Sequence, residues 1–250
     1  MLEIRDLTAK HRHNTVLENI SFKLRPHRFT ALLGRNGAGK STLVSCINQQ
    51  IPYLGQITFS ERSLSVMASR ERAVCVSVLP QILLSPPFTV EELVSFGRNP
   101  YLDFTGRLQD ADRKKVNEAL RLTGADSFRG KRADCISGGE RQLAYLSMTL
   151  AQDARVMVLD EPTTFMDMER ENFFFRLLTE IKSSKKKTLL VAMHNLNLAA
   201  KYADDVIVLD GKTVRFFGTK EDCLKSKTIE SVFSVNSHVL ENGEIVFSAE

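Results

Sequence analysis

The chain is poor in the features that would commit it to an oxidised, metal-bound or membrane-spanning life. Its four cysteines, Cys46, Cys75, Cys135 and Cys223, stand far apart in 250 residues. With no close C-x-x-C pair they imply no metal site, and free thiols in a reducing cytosol are the simple expectation. No apolar run approaches the length needed to cross a bilayer, so any membrane role is expected to come through a partner. The first residues, Met1-Leu-Glu-Ile-Arg-Asp6, begin as a strand and lack the apolar core of a signal peptide. Charge of one sign is not in great excess: the net value is +4. A basic stripe with interleaved aromatics, the footprint of nucleic-acid binding, is missing, and no nucleic-acid partner is expected. The Lys185-Lys-Lys187 run reads as a solvated loop between a helix and a strand. There is no internal repeat and no low-complexity segment. What remains is 43% hydrophobic and 26% charged, the composition of a soluble globular chain with a sizeable core in one or two domains.

One octapeptide carries the first chemistry. Gly34-Arg35-Asn36-Gly37-Ala38-Gly39-Lys40-Ser41 follows the apolar run Phe29–Leu33 and precedes Thr42-Leu-Val44, a helix start. A strand, a glycine-rich loop and a helix N-terminus in the order G-x-x-x-x-G-K-[ST] make a P-loop. The glycines let the backbone curl so that successive N–H groups face phosphate oxygens. The helix beginning near Lys40 adds partial positive charge at the same place. Lys40 is expected to reach the β- and γ-phosphates of ATP, and the Ser41 hydroxyl to ligate Mg²⁺.

A second motif, Val156-Met-Val-Leu-Asp160-Glu161-Pro162, is a buried-strand run ending in two carboxylates. Ligand sites of parallel sheets lie at the carboxyl ends of strands, which places Asp160 to hold Mg²⁺ and Glu161 to act on an attacking water as general base. The third, Ile136-Ser137-Gly138-Gly139-Glu140-Arg141-Gln142, opens an apolar-periodic stretch. Ser137 with Glu140 three residues on would make an ordinary capping box. A Gly-Gly helix start also makes an anion site. A second phosphate site on a different helix suggests nucleotide shared between two protomers.

These three motifs, in this order and at this spacing, resemble the ATP-binding-cassette ATPases over about residues 2 to 235. ISGGE, at residues 136–140, is the specific part, since other P-loop proteins lack it. The resemblance implies an α/β P-loop fold: a parallel-sheet RecA-like core, an N-terminal β-subdomain and an inserted helical subdomain at about 89–152. One domain is expected over 1–235, with a β-hairpin extension over 236–250. It also implies roles for weaker positions. Gln81 matches the Q-loop glutamine that contacts Mg²⁺ or the attacking water and faces the membrane partner. Asp167 matches the D-loop aspartate that crosses the dimer interface, and His194 the switch histidine at the γ-phosphate. His11 occupies the adenine-stacking position, with His13 nearby; a solvated basic turn over residues 10–13 explains it equally well. Five positions depart from the pattern: Glu140 where the signature usually ends in Gln, the bulkier Phe165-Met166 before Asp167, Asn195 where Asp usually follows the histidine, and His11 itself.

The rest of the chain reads as strands of a β-subdomain over 2–33, a helix over 40–48 and strands over 55–59 and 74–79. Helices follow over 90–96 and 110–122. Beyond the signature helix, strands and helices alternate: 156–160, 168–182, 188–193, 195–202 and 205–209. Hairpin turns are expected at Asp210-Gly211 and Asn242-Gly243. Phe88–Pro100 resembles the "TV-x-E-LV-x-x-GR-x-P" segment of ATPases serving iron–siderophore, haem and cobalamin importers, and His194–Asp204 resembles their switch-to-helix segment. The resemblance therefore implies ATP hydrolysis at the cytoplasmic face of a membrane, by an ATP-sandwich dimer, through a separate permease and with a substrate-binding protein. Those partners choose the substrate, and iron–siderophore ranks ahead of haem and cobalamin. Two other classes compete. A non-transport nucleic-acid machine would carry two cassettes or a long coiled coil, and neither is visible. A P-loop kinase would have no use for ISGGE.

Overall fold

A computed structural model describes residues 1–11, 14–164, 166–240 and 245–249. His13, Phe165 and the turn expected at Asn242-Gly243 lie outside the described residues. The chain begins with β1 (Leu2–His11), β2 (Asn14–Lys23) and β3 (Phe29–Gly34), then α1 (Lys40–Ile47). β4 (Tyr53–Phe59), β5 (Arg62–Ser63), α2 (Ser69–Cys75) and β6 (Val76–Leu79) follow. The helical stretch holds α3 (Val90–Ser95), α4 (Asp110–Thr123) and α5 (Gly138–Ala151). Then come β7 (Val156–Asp160), α6 (Met168–Lys185), β8 (Thr188–Ala192), α7 (Leu196–Tyr202), β9 (Asp205–Asp210) and β10 (Thr213–Thr219). The chain closes with α8 (Lys220–Lys225), α9 (Thr228–Phe233), β11 (Val235–Val239) and β12 (Ile245–Ala249).

The site is built on a six-stranded sheet of order β10-β9-β3-β8-β7-β6. Its inner pairings, β9 to β3, β3 to β8, β8 to β7 and β7 to β6, are all parallel, and β10 closes one edge antiparallel. Every residue of β3, β7 and β8 is buried, as strands covered on both faces must be. Alternate residues feed two cores. Phe29, Ala31, Met157, Leu159, Leu189 and Val191 face α5 and α6 residues such as Leu146, Phe174 and Leu178. Leu32, Val156, Val158, Leu190 and Ala192 face Leu43 and Ile47 of α1 and the antiparallel sheet β2-β1-β4-β5.

Several expectations need correction. Residues 2–33 do not form one β-subdomain: β1 and β2 join the antiparallel sheet, whereas β3 lies in the parallel one, where its unbroken apolar run belongs. The strand expected from Val74 begins at Val76, because Glu71 caps α2 through the Ala68 N–H at 3.0 Å and Val74 lies on an exposed side of that helix. Local cap chemistry outweighs the β preference of valine. The Lys185–Lys187 run is not simply solvated. Lys187 is buried and donates to Asp153 at 2.6 Å, Lys115 of α4 meets the same carboxylate at 2.8 Å, and Lys185 donates to Glu118 of α4. The turn after β9 centres on Gly211 and Lys212, both at positive φ, with Asp210 paired to Thr213.

The helical stretch is fastened by Gly97 and Arg98. A Cβ on Gly97 would lie 2.3 Å from the Met148 carbonyl oxygen of α5, so no side chain fits there. Arg98 is buried. It donates to Asp112 of α4 at 2.9 Å and to the Ala151 carbonyl at 2.7 Å, and lies over the Tyr101 ring at 3.8 Å. Arg98→Ala should cost about 3–5 kcal/mol in urea unfolding, because it strands a buried carboxylate. Adding Asp112→Ala should cost less than the two changes summed. Strict additivity would show that the two side chains do not act as a pair.

Candidate functional site

The loop between β3 and α1 is shaped by what its glycines exclude. Gly34 ends β3, where a Cβ would meet the Leu209 carbonyl oxygen at 2.9 Å. Gly39, at φ +98, precedes α1; a Cβ there would sit 2.6 Å from Leu17 Cδ2. Between them Ala38 N donates to Arg35 O at 3.0 Å, closing a turn. The first-turn N–H groups of α1 are thereby left to face outward as a cluster of donors. Lys40, the first residue of α1, is buried and donates from Nζ to Gly34 O at 2.8 Å. Burial lowers its pKa, and the negative charge of Glu161, 3.6 Å away, opposes that shift.

The loop opens on a cleft of about 920 Å³. Asn36–Thr42 form its floor, and His11, Asn14 and Val16 of the first two strands form one wall. Gln81, Glu161, Thr164 and His194 form the other. Glu161 is the centre of this wall. Its backbone has φ +47, an uncommon region for a residue with a side chain, while its N–H donates to Ala192 O at 3.0 Å and holds the strand end in place. Its carboxylate accepts from Gln81 Nε2 at 2.9 Å and lies 2.5 Å from His194 Nε2. One residue back, Asp160 accepts from the Ser41 hydroxyl at 3.2 Å. Burial raises the Asp160 pKa; the Ser41 bond opposes this and the neighbouring Glu161 charge adds to it.

The donor set at Ser41 and Asp160 is hard oxygen, with Gln81 on the facing wall. That suits Mg²⁺, which takes one or two protein ligands and completes its shell with water and substrate phosphate. Among the described residues no three His, Cys, Asp or Glu side chains form a metal cage.

The cleft does not gather every expected residue. Arg35 is exposed and outside the lining. Ser137, Gly138, Gly139 and Glu140 lie apart from the P-loop, at the N-terminus of α5. There the Ser137 hydroxyl accepts from Glu140 N at 3.2 Å and Glu140 accepts from Ser137 N at 2.9 Å. The latter bond is the largest cause holding the Glu140 carboxyl below its usual range. Asp167 caps α6, accepting from Arg170 N at 2.9 Å. A cavity of about 280 Å³ lies between the two regions, lined by Gln81 and Glu161 on one side and Gly138 and Gly139 on the other. Asn14 and Thr164 also line the cleft and were not singled out in the sequence. The hydroxyl of Thr164, which donates to Glu161 O at 2.9 Å, had a signal in the polar Thr163-Thr164 pair just after the carboxylates.

A family model described as ABC transporter matches residues 17–164. Among curated proteins, the achromobactin transport ATP-binding protein CbrD of Dickeya dadantii is 33% identical, covering 94% of this chain and 88% of its own length. The ferric enterobactin transport ATP-binding protein FepC of Escherichia coli is 33% identical with the same coverage, 94% and 88%. The hemin import ATP-binding protein HmuV of Pseudomonas aeruginosa is 34% identical over 94% of this chain and 93% of its own. Among solved structures, the ADP conformation of the cassette MJ1267 superposes with TM-score 0.81 at 18% identity, covering 94% of this chain and 98% of that one. The dimeric post-hydrolysis cassette MJ0796, bound to ADP and Pi, superposes with TM-score 0.78 at 20% identity, covering 88% and 99%. At such identities the structures speak for the fold; the family model and the curated relatives speak for the lineage. This chain belongs to the ABC transporter family, as one of its ATP-binding, ATP-hydrolysing cassettes.

Proposed function

We propose that this chain drives uptake of an iron–siderophore complex, with haem and then cobalamin as the next candidates, by hydrolysing ATP on the cytoplasmic face of a membrane permease. The observation that carries the catalytic half is the position of Glu161, whose carboxylate meets Lys40, Gln81 and His194 at the mouth of the P-loop. The transport half rests on relatives named for achromobactin, ferric enterobactin and hemin. None of these favours a nucleic-acid machine. No helix among the described residues is long and apolar enough to cross a membrane, so the permease would be a separate protein, with a substrate-binding protein delivering cargo to it. The cassette itself is read as residues 1–235, with its helical lobe over about 89–152 and a short hairpin extension over 236–250.

The mechanism follows from what each residue can do. The N–H groups of Gly37–Thr42 hold the phosphates, Lys40 spans the β- and γ-oxygens, and His11 stacks on the adenine. Ser41, Asp160 and Gln81 would hold Mg²⁺, which would supply charge neutralisation for the phosphates. Glu161 accepts a proton from the attacking water, and Gln81 and His194 keep that water and the terminal phosphate aligned. Most of the rate comes from positioning and charge balance. Two copies pack head to tail, so that Ser137, Gly138 and Gly139 of one close over ATP on the other and Asp167 crosses between them. Growth or uptake on defined siderophore, haem and cobalamin sources after deletion tests the transport reading; unimpaired growth on all of them sinks it.

Glu161→Gln should bind MgATP and turn it over about 10²–10⁴-fold more slowly, since an amide keeps the shape but takes no proton. Steady-state phosphate release measures this, and a wild-type rate would remove Glu161 from the role of base. Lys40→Ala should weaken ATP binding about 10–100-fold by calorimetry, the value of one charge-assisted contact. Unchanged affinity would count against residues 34–42 as the binding loop. Ser137→Arg should leave nucleotide binding by the isolated subunit intact and block closure. In mixed dimers, a Ser137→Arg chain paired with a Lys40→Ala chain confines both lesions to one composite site. That pair should keep activity that each pure mutant dimer lacks. ATP-induced dimerisation of the Ser137→Arg chain alone is the companion test, because normal closure despite the arginine excludes a shared site.

A further inference from the structure

Arg170 stands where an arginine is costly to the fold. It lies in the first turn of α6 and its guanidinium reaches the first turn of α5: a Cβ on Gly139 would be 3.2 Å from Arg170 Nη1. Both helix ends carry partial positive charge, and a cation at either is disfavoured by about 0.3–1 kcal/mol. The local counter-charge is Asp167, 3.4 Å from Arg170 Nε; both side chains are more than half exposed, so water screens the pair. The other acidic groups nearby are engaged elsewhere. Glu171 accepts from Thr163 at 2.8 Å and from Asn195 at 3.2 Å, and Glu140 accepts from the Ser137 N–H. A cavity of about 430 Å³ brings Ser137, Gly139, Glu140 and Arg170 together over Phe173 and Phe174.

We propose that Arg170 is a further catalytic residue of ATP hydrolysis, its guanidinium meeting the terminal phosphate of ATP held on the P-loop of a second copy of this chain. The inference rests on the shared-site reading of Ser137 and deepens it. The signature helix offers partial charges and a hydroxyl; Arg170 adds a full, delocalised charge with a planar pair of donors matched to phosphate oxygens. Such an arginine contributes most as charge gathers on the transferring phosphoryl group, so its loss is read in turnover more than in binding. The same arrangement gives the Asp167 pair a purpose. It holds the guanidinium beside Gly139 until an anion with more charge takes over.

The test uses Arg170→Met, which keeps the apolar stem over the cavity. In the isolated subunit ATP affinity should match the wild type and the thermal midpoint should be equal to it or higher, since a cation is removed from two helix N-termini, while kcat of the dimer falls about 10–100-fold. Mixed dimers locate the effect. An Arg170→Met chain paired with a Lys40→Ala chain places both lesions on one composite site, and should work as well as a Lys40→Ala chain paired with wild type. One chain carrying both changes, paired with wild type, damages both sites and should fall a further 10–100-fold. Equal rates in the two arrangements would overturn the proposal.

Should Lys40→Ala silence every arrangement, orthovanadate inhibition of the pure Arg170→Met dimer decides. The concentration for half-inhibition should rise at least tenfold, and an unchanged value overturns the proposal. The same arrangements run with Ser137→Arg separate the two readings. Arrangement dependence for Ser137 without it for Arg170 removes the arginine alone, whereas its loss for both removes the shared site.

Discussion

Ala192, the last residue of β8, pairs with Leu32 on one side and with Asp160 on the other. That register is the constraint on which the rest of the structure depends. It sets the ends of β3, β8 and β7 level, so that Gly34, His194 and the Asp160-Glu161 pair emerge along one edge although Gly34 precedes the others by 126 to 160 residues in the chain. A parallel strand slipped by one residue would turn its entire side-chain set to the opposite core. Here the opposite faces are two separate apolar clusters, so a slip is heavily penalised. The candidate site residues are therefore positioned by burial of side chains outside the cleft.

That edge gathers charge in a partly dehydrated place. Lys40 and Asp160 are both buried, and burial pushes each toward its neutral form. What keeps the cluster tolerable is mutual contact. Lys40 lies by Glu161 and donates to Gly34 O, Ser41 donates to Asp160, and Gln81 donates to Glu161. Each of these donors is also a group that a phosphate or its cation would engage, so the network that stabilises the folded site is the one that binding rearranges. Glu161 bears the backbone strain of this arrangement at φ +47, which is where strain is expected if a carboxylate must be turned off the strand axis into a cleft.

The legible part of the sequence was the part written in short-range pattern. The P-loop, the buried runs of β7 and β8, the Ser137–Glu140 box and the Asp210-Gly211 hairpin signal each fit within a dozen residues, and all appear as elements of the structure, with the turn centre moved one residue to Gly211-Lys212. What escaped was decided by distant partners or weak amphipathic signal. Lys187 is buried because Asp153, 34 residues earlier, is there to receive it. α2 overrides the β preference of Val74 through a cap at Glu71, and the short helices α8 and α9 have too few turns to display a period. Within the site, Gln81 and His194 carry no pattern of their own. They were found through the family resemblance, and geometry then gave them a shared partner in Glu161.

The Gly97-Arg98-x-Pro100 segment shows how a stretch that marks a subgroup can be structural. Gly97 touches α5 at Met148, and Arg98 bonds α5 at Ala151 while holding α4 through Asp112. The two α5 contacts fall in its last turn, and its opposite end carries the cap Ser137 with Gly138 and Gly139. A 14-residue helix spans about 21 Å at 1.5 Å per residue, and a packed helix behaves as a rigid rod over that distance. Fixing one end therefore fixes the direction in which the other presents its N–H groups. On this reasoning Gly97 and Arg98 set the direction in which the first turn of α5 presents Ser137, Gly138 and Gly139.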